Sequence, residues 1–177
     1  MANAFRKIDY KAFWNKTPVD DEQGWFGDGQ LRADALVDLR TTTNRLSIYF
    51  LDQDPPVSLD RIIGAVAANR GGSFISKIDY VLFDTGILAD LAIEIDAQPG
   101  TTLDNAVNAC HCDLVHLTAG KLSALGARMQ WTGRIVRIQD RQVGRLINQS
   151  LDVGFIDKAK LAPELVTKLK EPKYGIV

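Results

Sequence analysis

Two kinds of apolar pattern follow one another along this chain, and their order is its strongest constraint on fold. Up to about residue 117, apolar, β-branched and aromatic residues gather in short runs closed by Asp, Thr, Pro or Gly, which reads as strands joined by turns and short helices. Beyond it they recur mainly at intervals of three and four, which reads as amphipathic helices. The runs 35–40 and 45–51, separated by Thr41, Thr42, Thr43 and Asn44, predict an early β-hairpin ended by Asp52, Asp54, Pro55 and Pro56. Ser58 is placed to cap a helix to about Asn69, with Leu59, Ile62, Ile63, Val66 and Ala67 on one face and Gly71 as its stop. Residues 77–83 and 88–96 are strand candidates around a turn at Asp84, Thr85 and Gly86, the second able to start as a helix. After Pro99 and Gly100, Thr101 or Thr102 caps a short helix to about Ala109. Residues 113–117 then make a short strand, and Thr118 caps a helix carrying Leu122, Leu125 and Met129.

Between 132 and 151, Ile135, Val136, Val143, Leu146, Ile147 and Leu151 fall within one arc when each residue advances by about 100°. A single amphipathic helix is the prediction there, against a hairpin turning at 139–142 that Gly133 and Gly144 would favour. Pro163 suits the first turn of a last helix, with Leu165, Val166 and Leu169 inward and Lys168 and Lys170 at its C-terminal end. The expected fold is α+β: a mixed or antiparallel sheet with an early hairpin, packed by helices concentrated in the C-terminal half. Its 177 residues suit one globular domain, 1–177, in which 1–30 is an aromatic-rich N-terminal segment with a polar loop and 118–177 a basic helical part. In the first of these, Tyr10, Phe13 and Trp14 are spaced for one side of a helical turn, a lid over the core.

Hydrophobic residues at 46% and charged residues at 24% exclude a disordered or collagen-like chain. No uncharged stretch approaches the roughly 18 residues of a membrane span, and no apolar leader follows Arg6, Lys7 and Asp9. The reading is of a cytoplasmic protein. Only Cys110 and Cys112 are present, one residue apart, which excludes a disulfide framework.

The net charge of −1 conceals a division. Residues 1–117 hold 10 Lys and Arg against 17 Asp and Glu, a net of −7, while residues 118–177 hold 11 against 5, a net of +6. Such asymmetry bears on partners rather than on fold. It suits two surfaces for two partners, a homodimer in which an acidic body meets a basic tail, or plain ion pairing within one domain.

Three constellations could carry chemistry. Every Cys and His lies within residues 110–116, Cys-His-Cys-Asp-Leu-Val-His, and thiolate and imidazole are zinc-type ligands. As a strand, Cys110, Cys112 and His116 would share one face, giving three ligands without a distant second pair; buried cysteines acting as small hydrophobes are the competing account. Cys112 and His116 at helical spacing are also the one local nucleophile and base pair, but Asp113 opposes a thiolate there. The carboxylates Asp52, Asp54, Asp79, Asp84, Glu94 and Asp96 sit near strand ends, where convergence would suit magnesium, although acids also close turns routinely. Arg134, Arg137, Arg141 and Arg145 would line one face of the 132–151 helix, suited to phosphate contacts or to a solvated outer face.

Complete catalytic motifs are absent. Gly120-Lys121 is followed by Leu122 and lacks the earlier glycine of a phosphate loop, and no Gly-x-Ser-x-Gly elbow occurs. A binding or regulatory protein is therefore expected rather than an enzyme, of the immunity or antitoxin kind, docking to a basic partner protein through Asp20, Asp21, Glu22, Asp52 and Asp54. The alternative is a metal-dependent enzyme or nucleic-acid-associated factor using the carboxylates or the Cys/His cluster, with the arginines on phosphate. No cofactor is expected; zinc and magnesium are the metals these residue types would suit.

Overall fold

The computed structural model describes residues 3–14, 31–39, 41, 43–69 and 74–175. Six strands form one sheet: β1 (Asn3–Ile8), β2 (Leu46–Phe50), β3 (Ile78–Asp84), β4 (Glu94–Asp96), β5 (His111–Val115) and β6 (Arg134–Ile138). Their order is β4-β5-β2-β1-β3-β6, and every neighbouring pair is antiparallel. Among the described residues seven α-helices accompany them: α1 (Ala33–Asp38), α2 (Leu59–Ala68), α3 (Gly86–Asp90), α4 (Asn105–Ala109), α5 (Ala119–Thr132), α6 (Asp140–Asp152) and α7 (Pro163–Leu169). The fold is thus α+β with an antiparallel sheet, and three of its four longest helices lie in the C-terminal half.

Helices cover both faces of the sheet. Strand side chains alternate between faces, so Phe5, Ile78, Tyr80 and Ile138 join a core with Ile62 and Ile63 of α2 and Val143 and Ile147 of α6. On the other face Ala4, Ile8, Leu46, Ile48, Val81 and Leu114 join Trp14, Leu39, Leu125 and Met129. Close packing against α6 depends on small residues: a Cβ at Gly64 of α2 would stand 2.8 Å from Ser150 Oγ, and one at Gly144 of α6 itself would collide with the buried ring of Tyr174.

Local chemistry explains the element ends. Ser58 Oγ accepts from Arg61 N, and Thr118 Oγ1 from Lys121 N, so both expected caps form. Pro163 occupies the first turn of α7. For α4 the cap is Asp104 rather than Thr101 or Thr102: its carboxylate accepts from Ala106 N and Val107 N, and Thr102 instead bonds Asn108 and Asp104.

Three expectations are corrected. The early hairpin does not form, because Ala33–Asp38 is α1, where Ala35 and Leu39, four apart, turn inward together. Residues 132–151 are two elements, β6 and α6, so the arc of apolar residues belongs to no single helix. The 88–96 strand shrinks to three residues behind α3. Gly71 lies outside the described residues, as do Trp25, Phe26 and the loop around them. Trp14 closes a short 3-10 turn, Lys11–Trp14, and is fully buried, while Tyr10 stacks on Phe13 and stays half exposed. Among the described residues no helix is long and apolar enough to cross a membrane.

Candidate functional site

One end of the sheet gathers carboxylates. The Asn3 amide at the start of β1 donates to Asp52 Oδ2, just past the end of β2, at 2.5 Å. Asn3 also stands opposite Asp84, the last residue of β3, so β1 brings Asp52 and Asp84 to either side of itself. Asp54 follows two residues after Asp52, and both are exposed. Asp84 is half-buried and accepts from Gly86 N at 2.9 Å. Among the described residues none of the three forms an ion pair. Arg134 is the nearest cation by register, opposite Leu82 and two residues short of Asp84. Asp20, Asp21 and Glu22 lie outside the described residues.

At the opposite end, β2, β4 and β5 carry a polar network on one face. Arg45 Nη1 lies 2.9 Å from Asp96 and 3.4 Å from Asp113, whose other oxygen accepts from Ser47 Oγ at 3.0 Å. These hydrogen bonds raise the Arg45 guanidinium above its ordinary value. His111 Nε2 stands 3.8 Å from the same Asp113 oxygen, its Nδ1 meets Gln98 O at 2.7 Å, and its ring packs edge-on against Tyr49. Burial raises the Tyr49 hydroxyl pKa. Nearby the β1–β2 ladder stops after the Phe5–Tyr49 pair, and Arg6 Nη1 donates to Ser47 O at 3.0 Å where the backbone partner has gone. Burial lowers Arg6, with Asp38 the main opposing charge.

The Cys/His cluster does not converge. Cys110 ends α4 and is buried in the core beneath α2 and α6; Cys112, inside β5, is buried in the opposite core. Desolvation raises both thiols, Cys112 to about 12, which makes them packing residues rather than thiolates near neutral pH. His116, at φ 53° just past β5, is largely exposed 3.7 Å from Glu94. The expectation that Cys110, Cys112 and His116 share a strand face fails because the strand begins only at His111. Among the described residues no three His, Cys, Asp or Glu side chains are grouped to hold a metal ion.

The arginine stripe is also divided. Arg134 and Arg137, three apart on β6, point to opposite faces, while Arg141 and Arg145 sit a turn apart on α6. Arg137 is committed: Nε and Nη2 donate to the two Asp79 oxygens at 2.7 and 2.6 Å, straight across the β3–β6 ladder. Arg141 is exposed, and the buried Arg145 Nε has no hydrogen-bond partner among the described residues.

Burial of Asp79 favours its neutral form, but the Arg137 hydrogen bonds, the Lys11 N–H and the charges of Arg137 and Lys77 outweigh it and bring the pKa below 3.8. A depressed carboxylate adds stability that is full above the unfolded value and is lost as pH falls through the folded one. Asp79→Asn is therefore expected to lose less unfolding free energy than the parent between about pH 6 and about pH 3 in urea titrations. Parallel acid profiles would refute this role.

The Arg45 network, Arg6 and the buried Asp38 and Asp104 escaped sequence reasoning. Polar alternation at Arg45, Ser47 and, across the ladder, His111 and Asp113 was the available signal for the first. An antiparallel α+β protein with charged sheet ends is what the fold and these sites define. Comparison with known protein families, curated proteins and solved structures finds no match.

Proposed function

We propose that the protein acts by docking to a basic partner through the acidic end of its sheet, as a blocking or regulatory protein of the immunity or antitoxin kind. The trio Asp52, Asp54 and Asp84 carries this reading: Asp52 and Asp84 flank the start of β1, Asp54 follows two residues after Asp52, and none of the three forms an ion pair among the described residues. The −7 segment to which they belong adds a long-range field that draws in positive charge. Such surfaces raise association rates and set specificity more than they add affinity.

The test starts from proteins captured on the immobilised chain from its native lysate, followed by stopped-flow association with each purified partner. A basic partner is expected, whose association rate falls at least about tenfold for the Asp52→Lys, Asp54→Lys, Asp84→Lys triple variant and loses most of its salt dependence. Capture of no basic protein, or a rate unmoved by the reversals, would overturn the proposal.

A further inference from the structure

The two edges of the sheet differ in how well they are protected. Unpaired edges recruit other strands unless they are short, charged or folded away. β4 meets that requirement: it is three residues long, carries Glu94 and Asp96, and its Asp96 carbonyl already accepts from Gln98 N. β6 meets it less fully. It is five residues long, Arg-Ile-Val-Arg-Ile, without proline or glycine, one of its two arginines is held by Asp79, and among the described residues it pairs only with β3. Among the described residues no backbone hydrogen bond reaches its outer side. Ile135 and Val136 remain only partly covered, one on each face.

We propose that β6 is a self-association edge, pairing antiparallel with β6 of a second copy about a twofold axis at Val136 and joining two six-stranded sheets into one. The sequence is complementary to itself in that register. Val136 meets Val136, Arg134 meets Ile138 and Ile135 meets Arg137, so no arginine faces an arginine and each guanidinium stem lies against an isoleucine. Arg137 brings no free charge to the seam because Asp79 holds it. Arg134 comes opposite the Ile138 end of the second strand, the end at which Asp140 opens α6, and the twofold axis places a basic and an acidic residue at both ends of the seam. A closed pair results rather than a filament. Five residues make a small interface, so the dimer belongs to the weak, concentration-dependent class.

Sedimentation velocity of the full chain over a wide concentration range is expected to move from the 19.5 kDa monomer toward twice that mass. Val136→Lys and Val136→Glu should each weaken association at least about tenfold, since like charges would stand directly opposite, and an equimolar mixture should restore it. Amide exchange in the parent protein gives a second reading that needs no variant: residues 134–138 should exchange more slowly as concentration rises. A parent that stays monomeric throughout would overturn the proposal. So would lysine and glutamate variants that dimerise as the parent does, a mixture that fails to recover, or doubling of mass with unchanged exchange at 134–138.

Discussion

Asp38→Ala is expected to cost about 3 kcal/mol of stability, because it strips acceptors from buried donors rather than merely deleting a surface charge. The Asp38 carboxylate, 5% exposed at the end of α1, accepts from Asp9 N at 2.7 Å, Trp14 Nε1 at 2.8 Å and, more weakly, Tyr10 N at 3.3 Å. Trp14 is fully buried, so its indole N–H has no route to water unless the 3-10 turn lifts from the core. Arg6 also loses its main favourable charge. Asp38→Asn should recover only part of the loss, since one end of the amide then presents a donor to a donor. Urea midpoints, with near-ultraviolet circular dichroism following the tryptophan environment, measure both variants. A loss under about 1 kcal/mol for the alanine would mean that these donors find other partners.

Asp104→Ala should be comparably damaging, about 3 kcal/mol, because two functions end at one side chain. Asp104 is 1% exposed, caps α4 through Ala106 N and Val107 N, and holds Arg61 of α2 by bonds of 2.6 and 2.9 Å. Arg61 in turn lies over the Phe155 ring, 3.5 Å from its centre, so the pair ties α2, α4 and the segment after α6 together. Asp104→Asn keeps an acceptor for the cap while removing the charge, and Arg61→Met keeps the stem over Phe155 while leaving the carboxylate without its cation. Denaturant titration of the three variants separates cap from ion pair. If Asp104→Asn matched the parent, the ion pair would contribute nothing.

Capped helices were legible in the sequence, and elements whose environment erases the usual pattern were not. Ser58, Thr118 and Pro163 announce their helices by chemistry local to the chain. β6 was hidden because helices cover both faces of the sheet: Ile135 enters one core, Val136 and Ile138 the other, and strict alternation disappears. Its short apolar run then merged with the true amphipathic pattern of α6. α1 was misread because Val37 and Leu36 look strand-like, although Ala35 and Leu39 carried the spacing that decides. The same limit governed the sites. Whether Cys110 and Cys112 share a face depends on the residue at which helix gives way to strand, which no composition or spacing specifies. Asp52 and Asp54 stand out in the sequence by charge alone; Asp84 joins them only through the β1–β3 register.

The central position of β1 has a kinetic meaning. Apart from β4 and β5, which are joined through α4, each neighbour in the sheet comes from a distant part of the chain: residues 3–8 must settle between 46–50 and 78–84, β2 must wait for 111–115, and β3 for 134–138. Nowhere in the described chain does a tight turn join two paired strands, so the sheet has no local zipper from which to grow. Helices can form early, but assembly is governed by the closure of long loops, which places this small protein among the slower folders of its size. Until β3 arrives, β1 holds at best one partner, and the first strand of the chain waits for the third before both its edges are closed.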